Sequence, residues 1–192
     1  MALKERRLKR ASFIVAALAM IPVALIGYQA VFTSNFHEIL PGQFYRSAQM
    51  SPGELATRIE RFQIRTVLNL RGTGSDPAWY RDERDVTSAR DVRLVNFPMS
   101  ASRRLTPEQA LELVEIMKDA PKPLLVHCLG GADRTGLVSM IFLNQVAGID
   151  EETAERQLTP FYGHIGIPFL SSTFAMDQSW EELEPIFGIE GS

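Results

Sequence analysis

Only one cysteine, Cys128, stands in 192 residues. A lone thiol excludes an internal disulfide framework and leaves the redox compartment unread. Histidine is nearly as scarce, and His37 and His164 stand apart from any partner at metal-ligand spacing. Excess charge of one sign is missing too. The 20 Lys and Arg face 23 Asp and Glu, a net charge of −3, so no nucleic-acid partner is expected. There is no internal repeat and no low-complexity segment. With 45% hydrophobic and 22% charged residues, the composition is that of one globular domain plus an appendage.

The appendage lies at the N-terminus. Residues 1–10 form a basic tail, with Lys4, Arg6, Arg7, Lys9 and Arg10 against the single acid Glu5. From Ala11 to Phe32 no residue is charged and most are apolar, long enough to cross a hydrocarbon layer of roughly 30 Å as a helix. A secretory signal would have a shorter apolar region and a small-x-small cleavage site, and Tyr28-Gln29-Ala30 is a poor one. A buried core helix would not carry this basic flank. The segment 11–32 therefore reads as an uncleaved signal anchor, with Pro22 tolerated inside it. Basic residues before the span, and none after it until Arg46, place the N-terminus in the cytoplasm. The rest is then expected outside, on the periplasmic face of a bacterial inner membrane, with 33–43 as juxtamembrane connector and 44–188 as the domain.

The centre of the chain is Pro123-Leu-Leu-Val-His-Cys-Leu-Gly-Gly-Ala-Asp-Arg-Thr-Gly136, running into apolar Leu137–Leu143. It reads as a buried strand, a glycine-bearing loop and an apolar helix. Such a turn aims successive backbone N–H groups and a helix N-terminus at one point, which makes an anion site. A thiol placed there is favoured as thiolate. An arginine at the helix start offers a planar fork that fits two phosphate oxygens. Nucleophile, oxyanion cradle and bidentate clamp share one loop, the parts of a phosphoryl-transfer site.

The pattern His127-Cys128-x-x-Gly131-x-x-Arg134-Thr135-Gly136 resembles the signature loop of cysteine-dependent protein tyrosine and dual-specificity phosphatases. Pro41-Gly42-x-x-Tyr45-Arg46-Ser47 also resembles the opening of small members. The resemblance implies that Cys128 attacks phosphorus to give a phosphocysteine that water hydrolyses. Arg134 and the amides of Leu129, Gly130, Gly131, Ala132, Asp133 and Arg134 would stabilise the equatorial oxygens. Thr135 would hydrogen-bond the sulfur, and His127 would help fix the loop. Gly130, Gly131 and Gly136 read as backbone freedom beside a ligand. The mechanism needs no metal or other cofactor, and none is expected.

The general acid departs from the family's commoner pattern. Its mobile-loop aspartate should fall in Pro98–Thr106, which holds no Asp or Glu. Asp133 is the substitute, as in lipid-active and broad-specificity members that this loop resembles; its rival roles are orienting Arg134 or capping the helix. Asp76 and Glu108 are weaker candidates. Arg71, Arg103 and Arg104 follow strand ends and are candidates for a second phosphate, with Arg71 placed in the site; solvated arginines are the plainer reading. Trp79 and Tyr80 read as helix-face packing.

Around the loop, strands are expected at Phe44–Ser47, Ile64–Leu70 and Val92–Phe97. Helices are expected from Pro52 behind the Ser51 cap, over Ala78–Arg90, from the Thr106-Gln109 capping box to Asp119, over Glu151–Leu158 and over Thr173–Phe187. The alternation implies an α/β three-layer sandwich with a mostly parallel sheet, and the site at the carboxyl end of a central strand. Three functions fit: a protein tyrosine or dual-specificity phosphatase acting on phosphorylated proteins, a phospholipid phosphatase, and an inactive phosphate-binding module.

Overall fold

The computed structural model describes residues 33–189. The anchor expected over 11–32 lies outside them; among the described residues no helix is long and apolar enough to cross a membrane. Five strands form one sheet: β1 (His37–Leu40), β2 (Phe44–Ser47), β3 (Thr66–Asn69), β4 (Arg93–Asn96) and β5 (Leu124–His127). Their order is β1-β2-β5-β3-β4. Every pair is parallel except the β1–β2 hairpin.

Strand β1 corrects the expectation of a connector over 33–43. Pro41-Gly42 is a turn, with Gly42 at φ +69°, but it returns the chain on itself and adds His37–Leu40 as an edge strand. With Glu38 exposed and no alternating apolar pattern, an edge strand this short carries little periodic signal.

The helices begin where their caps demand. Ser51 Oγ accepts from the Glu54 amide at 3.3 Å to open α1 (Pro52–Phe62). Thr106 and Gln109 form a reciprocal capping box at the head of α3 (Pro107–Asp119), the pattern that satisfies two orphan amides at once. Between them α2 spans Ala78–Ser88. The signature helix α4 (Asp133–Ile141) continues into a π-helical turn, Phe142–Val146. Helix α5 is shorter than expected, Glu151–Glu155. Helix α6 covers Ala175–Leu183 behind a 3₁₀ turn at Ser172–Phe174.

Alternation along the strands sorts the core into two layers. Phe44, Leu68, Leu124 and Val126 pack with Leu113 of α3, Leu137 and Ile141 of α4 and Met176 of α6. Tyr45, Val67 and Leu125 face the other way, onto Leu55 and Ile59 of α1 and Val86 of α2. Strand β5 is buried on both faces, as a central parallel strand must be. That clamps the residues leaving its carboxyl end.

Candidate active site

The parallel strands end in one line at Ser47, His127, Asn69 and Asn96. The loops leaving these four ends build the site, where ligands of open α/β sheets bind. From His127 the chain enters the loop Cys128–Ala132 and then α4. Cys128 is buried, and its Sγ accepts a hydrogen bond from the Gly131 N–H at 3.3 Å. Gly131 stands at φ +68°, and a Cβ there would lie 2.5 Å from the Ala48 nitrogen and 2.8 Å from the Ser47 oxygen. The end of β2 therefore packs flat on the loop, and only glycine allows it. Gly130 has open space around its Cα. At Gly136 the close neighbour is Leu158, so that glycine serves packing of α4 and not a ligand.

Arg134 is positioned by backbone. Its Nη1 donates to the carbonyls of Leu70 and Met99, both at 3.2 Å, while its buried Nε has no partner. The fork is fixed from behind by the ends of β3 and β4 and retains an uncommitted donor, which fits an anion. The hydrogen bond expected from Thr135 to sulfur is not formed: Thr135 Oγ1 is buried without a partner. His127 joins the end of β5 to α2 and lies against the start of the loop. Its Nε2–H donates to the Glu83 carboxylate, at 3.2 Å from Oε1, and its Nδ1 lies 3.4 Å from the Cys128 carbonyl.

Two residues carry more of this site than the sequence revealed. Arg46, fully buried on β2, donates through Nη2 to the carbonyls of Gly131 at 2.8 Å and Ala132 at 3.3 Å. Its Nη1 holds the Gln157 carbonyl at 2.6 Å, and its guanidinium stacks 3.8 Å from the Tyr162 ring centre. Burial pushes its pKa down to about 10, against the opposing influence of Tyr162 and Cys128. Arg46 thus holds the Gly131 carbonyl on the side away from the sulfur, while the Gly131 amide points to Sγ. The Arg46 position lay inside the Tyr-Arg-Ser pattern, but nothing in that pattern showed what the side chain binds. The second is Glu83 of α2, 3% exposed, which joins His127 to Gln49 Nε2 at 2.8 Å. Its one signal was position: it lies four residues from Trp79 and Thr87 on the inner face of a charged helix.

Gln49 Oε1 in turn accepts from Arg71 Nη1 at 2.8 Å, and Arg71 stacks 3.6 Å over Trp79. Burial, then the neighbouring Arg134 charge, lowers the Arg71 pKa, while Glu83 and Cys128 oppose the shift. Arg71 borders the loop through Gln49, whose backbone N–H donates to the Leu129 carbonyl at 3.2 Å. Arg104 does not: it pairs with Glu182 on α6. Arg103 lies in a small hollow with Pro98, Met99 and Gln109. Asp76 is spent on Arg81 and Arg84. Glu108 is held below the usual carboxylate range by its own backbone N–H and the Thr106 hydroxyl, in the exposed first turn of α3. Asp133 neither caps α4 nor pairs with Arg134; its Oδ1 accepts from His164 Nδ1 at 2.8 Å.

Other surface features lie elsewhere. A cleft among the described residues is lined by Ile59, Arg65, Arg90 and Arg93 at the amino ends of β3 and β4, opposite Cys128. Among the described residues, Glu151, Glu155 and Glu184 bring carboxylate oxygens within 4.8 Å of one another. They stand on and after α5 and α6, away from the loop's own residues.

A mostly parallel sheet ending in a Cys-(x)₅-Arg anion loop defines the class: an α/β protein built on the plan of the cysteine-dependent phosphatases. The chain belongs to the family described as "DSP-PTPase phosphatase fused to NAD+ Kinase", whose model matches residues 29–164. It is similar to the dual specificity protein phosphatase TpbA of Pseudomonas aeruginosa strain UCBPP-PA14, with 29% identity over 133 residues. That alignment takes in 68% of this chain and 56% of the relative, so the chain spans little more than half the relative's length. In fold it resembles the crystal structure of P. aeruginosa TpbA, with TM-score 0.60 at 21% identity, over 81% of this chain and 92% of that one. It also resembles Tk-PTP in the active form, with TM-score 0.59 at 21% identity, over 81% and 99%.

Proposed function

We propose that this protein hydrolyses phosphomonoesters of phosphorylated proteins through a phosphocysteine intermediate. The observation that carries this is one loop that holds both a buried Cys128, its Sγ met by the Gly131 amide, and Arg134, whose fork is braced by two carbonyls and whose Nε is buried without a partner. In the first step Sγ attacks phosphorus in line. The P–S bond forms, the P–O bond breaks, and Asp133 gives a proton to the leaving oxygen. In the second, water attacks phosphorus, its proton passes to Asp133, and thiolate and phosphate are released. Arg134 and the loop amides hold the equatorial oxygens throughout. Thr135, with its hydroxyl uncommitted, is the donor for the departing sulfur, and Arg71 adds positive charge at the rim. The protein substrate is favoured by the TpbA relative's name and by a neighbouring structure of TpbA with bound pTyr.

Part of this proposal is a membrane address: segment 11–32 as a retained anchor, the N-terminus cytoplasmic and the domain periplasmic. Supporting it, the chain just after that segment is stitched to the site. Asn35 Nδ2 donates to the carbonyls of Gly130 at 3.1 Å and Tyr162 at 2.9 Å. The following loop exposes Phe161, Ile165, Ile167, Phe169 and Leu170, and the signature loop exposes Leu129. An apolar rim beside an anchor is the observation that favours a second reading, a phospholipid phosphatase. The full chain in mixed micelles, with Cys128→Ser as blank, tests both by kcat/KM on a phosphotyrosine peptide against phosphatidylglycerophosphate and phosphoinositides. A peptide preference is expected. A lipid preference above about a hundredfold, ~2.7 kcal/mol of differential transition-state binding, would replace the first reading with the second. No turnover above the blank on any substrate would leave a binding module.

A further inference from the structure

A lone carboxyl is a poor proton source near neutrality. At an ordinary pKa of about 3.9, roughly one carboxyl in a thousand is protonated at pH 7. Asp133 is not alone. His164, on the loop after the 3₁₀ turn Pro160–Tyr162, donates from Nδ1 to Asp133 Oδ1 at 2.8 Å and from Nε2 to Asp177 Oδ2 at 3.0 Å. The ring is 2% exposed, and both carboxylates are about a quarter exposed. The three groups come from three places: the head of α4, the loop and the first turn of α6. Nothing in the hydrolysis described above uses His164 or Asp177.

The loop is shaped around this arrangement. A Cβ on Gly166 would lie 2.2 Å from Asp177 Oδ2 and 2.8 Å from His164 Nε2. The Gly166 backbone thus packs directly against the His164–Asp177 bond and leaves no room for a side chain. From α4 the titratable group facing the ring is Asp133, and from α6 it is Asp177; residues 163–170 bring no other.

We propose that His164 is the proton store of the general acid, handing its Nδ1 proton through the Asp133 carboxyl to the leaving oxygen while Asp177 holds the ring by Nε2–H. This rests on the reading of Asp133 as the acid. The Asp133–His164 pair begins with one transferable proton and no net charge. As the P–O bond breaks, that proton goes to the leaving oxygen, which departs as an alcohol. Asp133 is left as carboxylate and His164 as neutral imidazole, still bound to Asp177. When water attacks the phosphocysteine, its proton returns to the pair, and the cycle closes without an outside acid. The electrostatics agree. Burial by itself would lower the His164 pKa, but the hydrogen bond to Asp133 and the charge and hydrogen bond of Asp177 outweigh it and raise it above the usual histidine value. The ring therefore keeps its second proton at a pH where a bare carboxyl has lost its own.

The test is kcat/KM of the full chain against pH on 4-nitrophenyl phosphate and on an alkyl phosphate such as a phosphoserine peptide. The wild type is compared with Asp133→Asn, His164→Gln, Asp177→Asn and the double variant Asp133→Asn/His164→Gln. General acid catalysis contributes roughly 10²–10⁴-fold. His164→Gln is therefore expected to cut alkyl phosphate turnover by about tenfold to a hundredfold at pH 7. Turnover of the nitrophenyl ester, whose leaving group needs little protonation, should stay within about threefold, which also reports that the variant is folded. The alkaline limb of the alkyl phosphate profile moves to lower pH in His164→Gln and, less far, in Asp177→Asn. The double variant is no worse than Asp133→Asn alone. Equal losses on both substrates, an unmoved limb or multiplying losses in the double variant would each overturn the proposal. If Asp133→Asn is selective for alkyl phosphates and His164→Gln is silent, the store fails and the acid stands. If Asp133→Asn depresses both substrates equally, the acid reading fails and the store with it.

Discussion

Replacing Gly131 by alanine isolates what the signature loop contributes through its backbone alone. The new methyl would stand 2.5 Å from the Ala48 nitrogen, 2.6 Å from the Ser47 carbonyl carbon and 2.8 Å from its oxygen. These are backbone atoms of a buried strand end, so the loop must move. The residue is also at φ +68°, where a side chain costs roughly 1–2 kcal/mol. Overpacking against fixed backbone adds about 1–3 kcal/mol. Moving the loop breaks two bonds together: Gly131 N–H to Cys128 Sγ at 3.3 Å and Arg46 Nη2 to the Gly131 carbonyl at 2.8 Å. Loss of one donor to developing negative charge costs about 10²–10³ in kcat. Gly131→Ala is therefore expected to lower kcat on 4-nitrophenyl phosphate by at least about a hundredfold and to lower stability by about 2–5 kcal/mol in urea titration. Gly130→Ala is the control, since a Cβ there meets nothing within 4 Å and its φ is not in the left-handed region; it should stay within about twofold of wild type. Comparable activity in the two variants would refute the claim that β2 packs flat on the loop.

Arg46→Lys keeps the charge but loses the fork that spans Gln157, Gly131 and Ala132; kcat should fall by tenfold or more, and a lysine enzyme of wild-type rate would show that charge alone suffices. Glu83→Ala strands His127 and Gln49 without their buried partner and should cost about 1–3 kcal/mol in urea titration, with a smaller effect expected from Glu83→Gln. The His37 pKa is lowered to about 4, first by burial and then by the Arg46 charge. The unfolded chain therefore takes up this proton first, and the associated stability is lost as pH falls from about 6.5 to 4. In His37→Phe, the drop in stability between pH 7 and pH 4.5 should be smaller than in wild type; an unchanged drop would remove His37 as its cause.

What the sequence carried and what it withheld divide along physical lines. Contacts between near neighbours leave local marks. The Ser51 cap, the Thr106–Gln109 box and the strand-loop-helix around Cys128 all depend on residues within a few positions of one another, and all were legible. The parallel sheet followed from alternation of strands and helices, which topology rules convert into architecture. The supports of the site leave no such mark, because each is made between elements far apart in the chain. Arg46 meets Gly131 from 85 residues away, Glu83 meets His127 from 44, and His164 meets Asp133 from 31. Each is a polar side chain that composition and periodicity assign to the surface, and each is buried only because a partner arrives from another element. Thr135 differs from what the resemblance implied: its hydroxyl is buried without a partner, and the donor that meets Sγ is the Gly131 amide. The His164–Asp177 pair shows the limit most clearly. Thirteen residues apart, with Gly166 between them, the two have no spacing that marks a pair in sequence. They acquire a purpose only when the fold brings Asp133 to the other side of the ring.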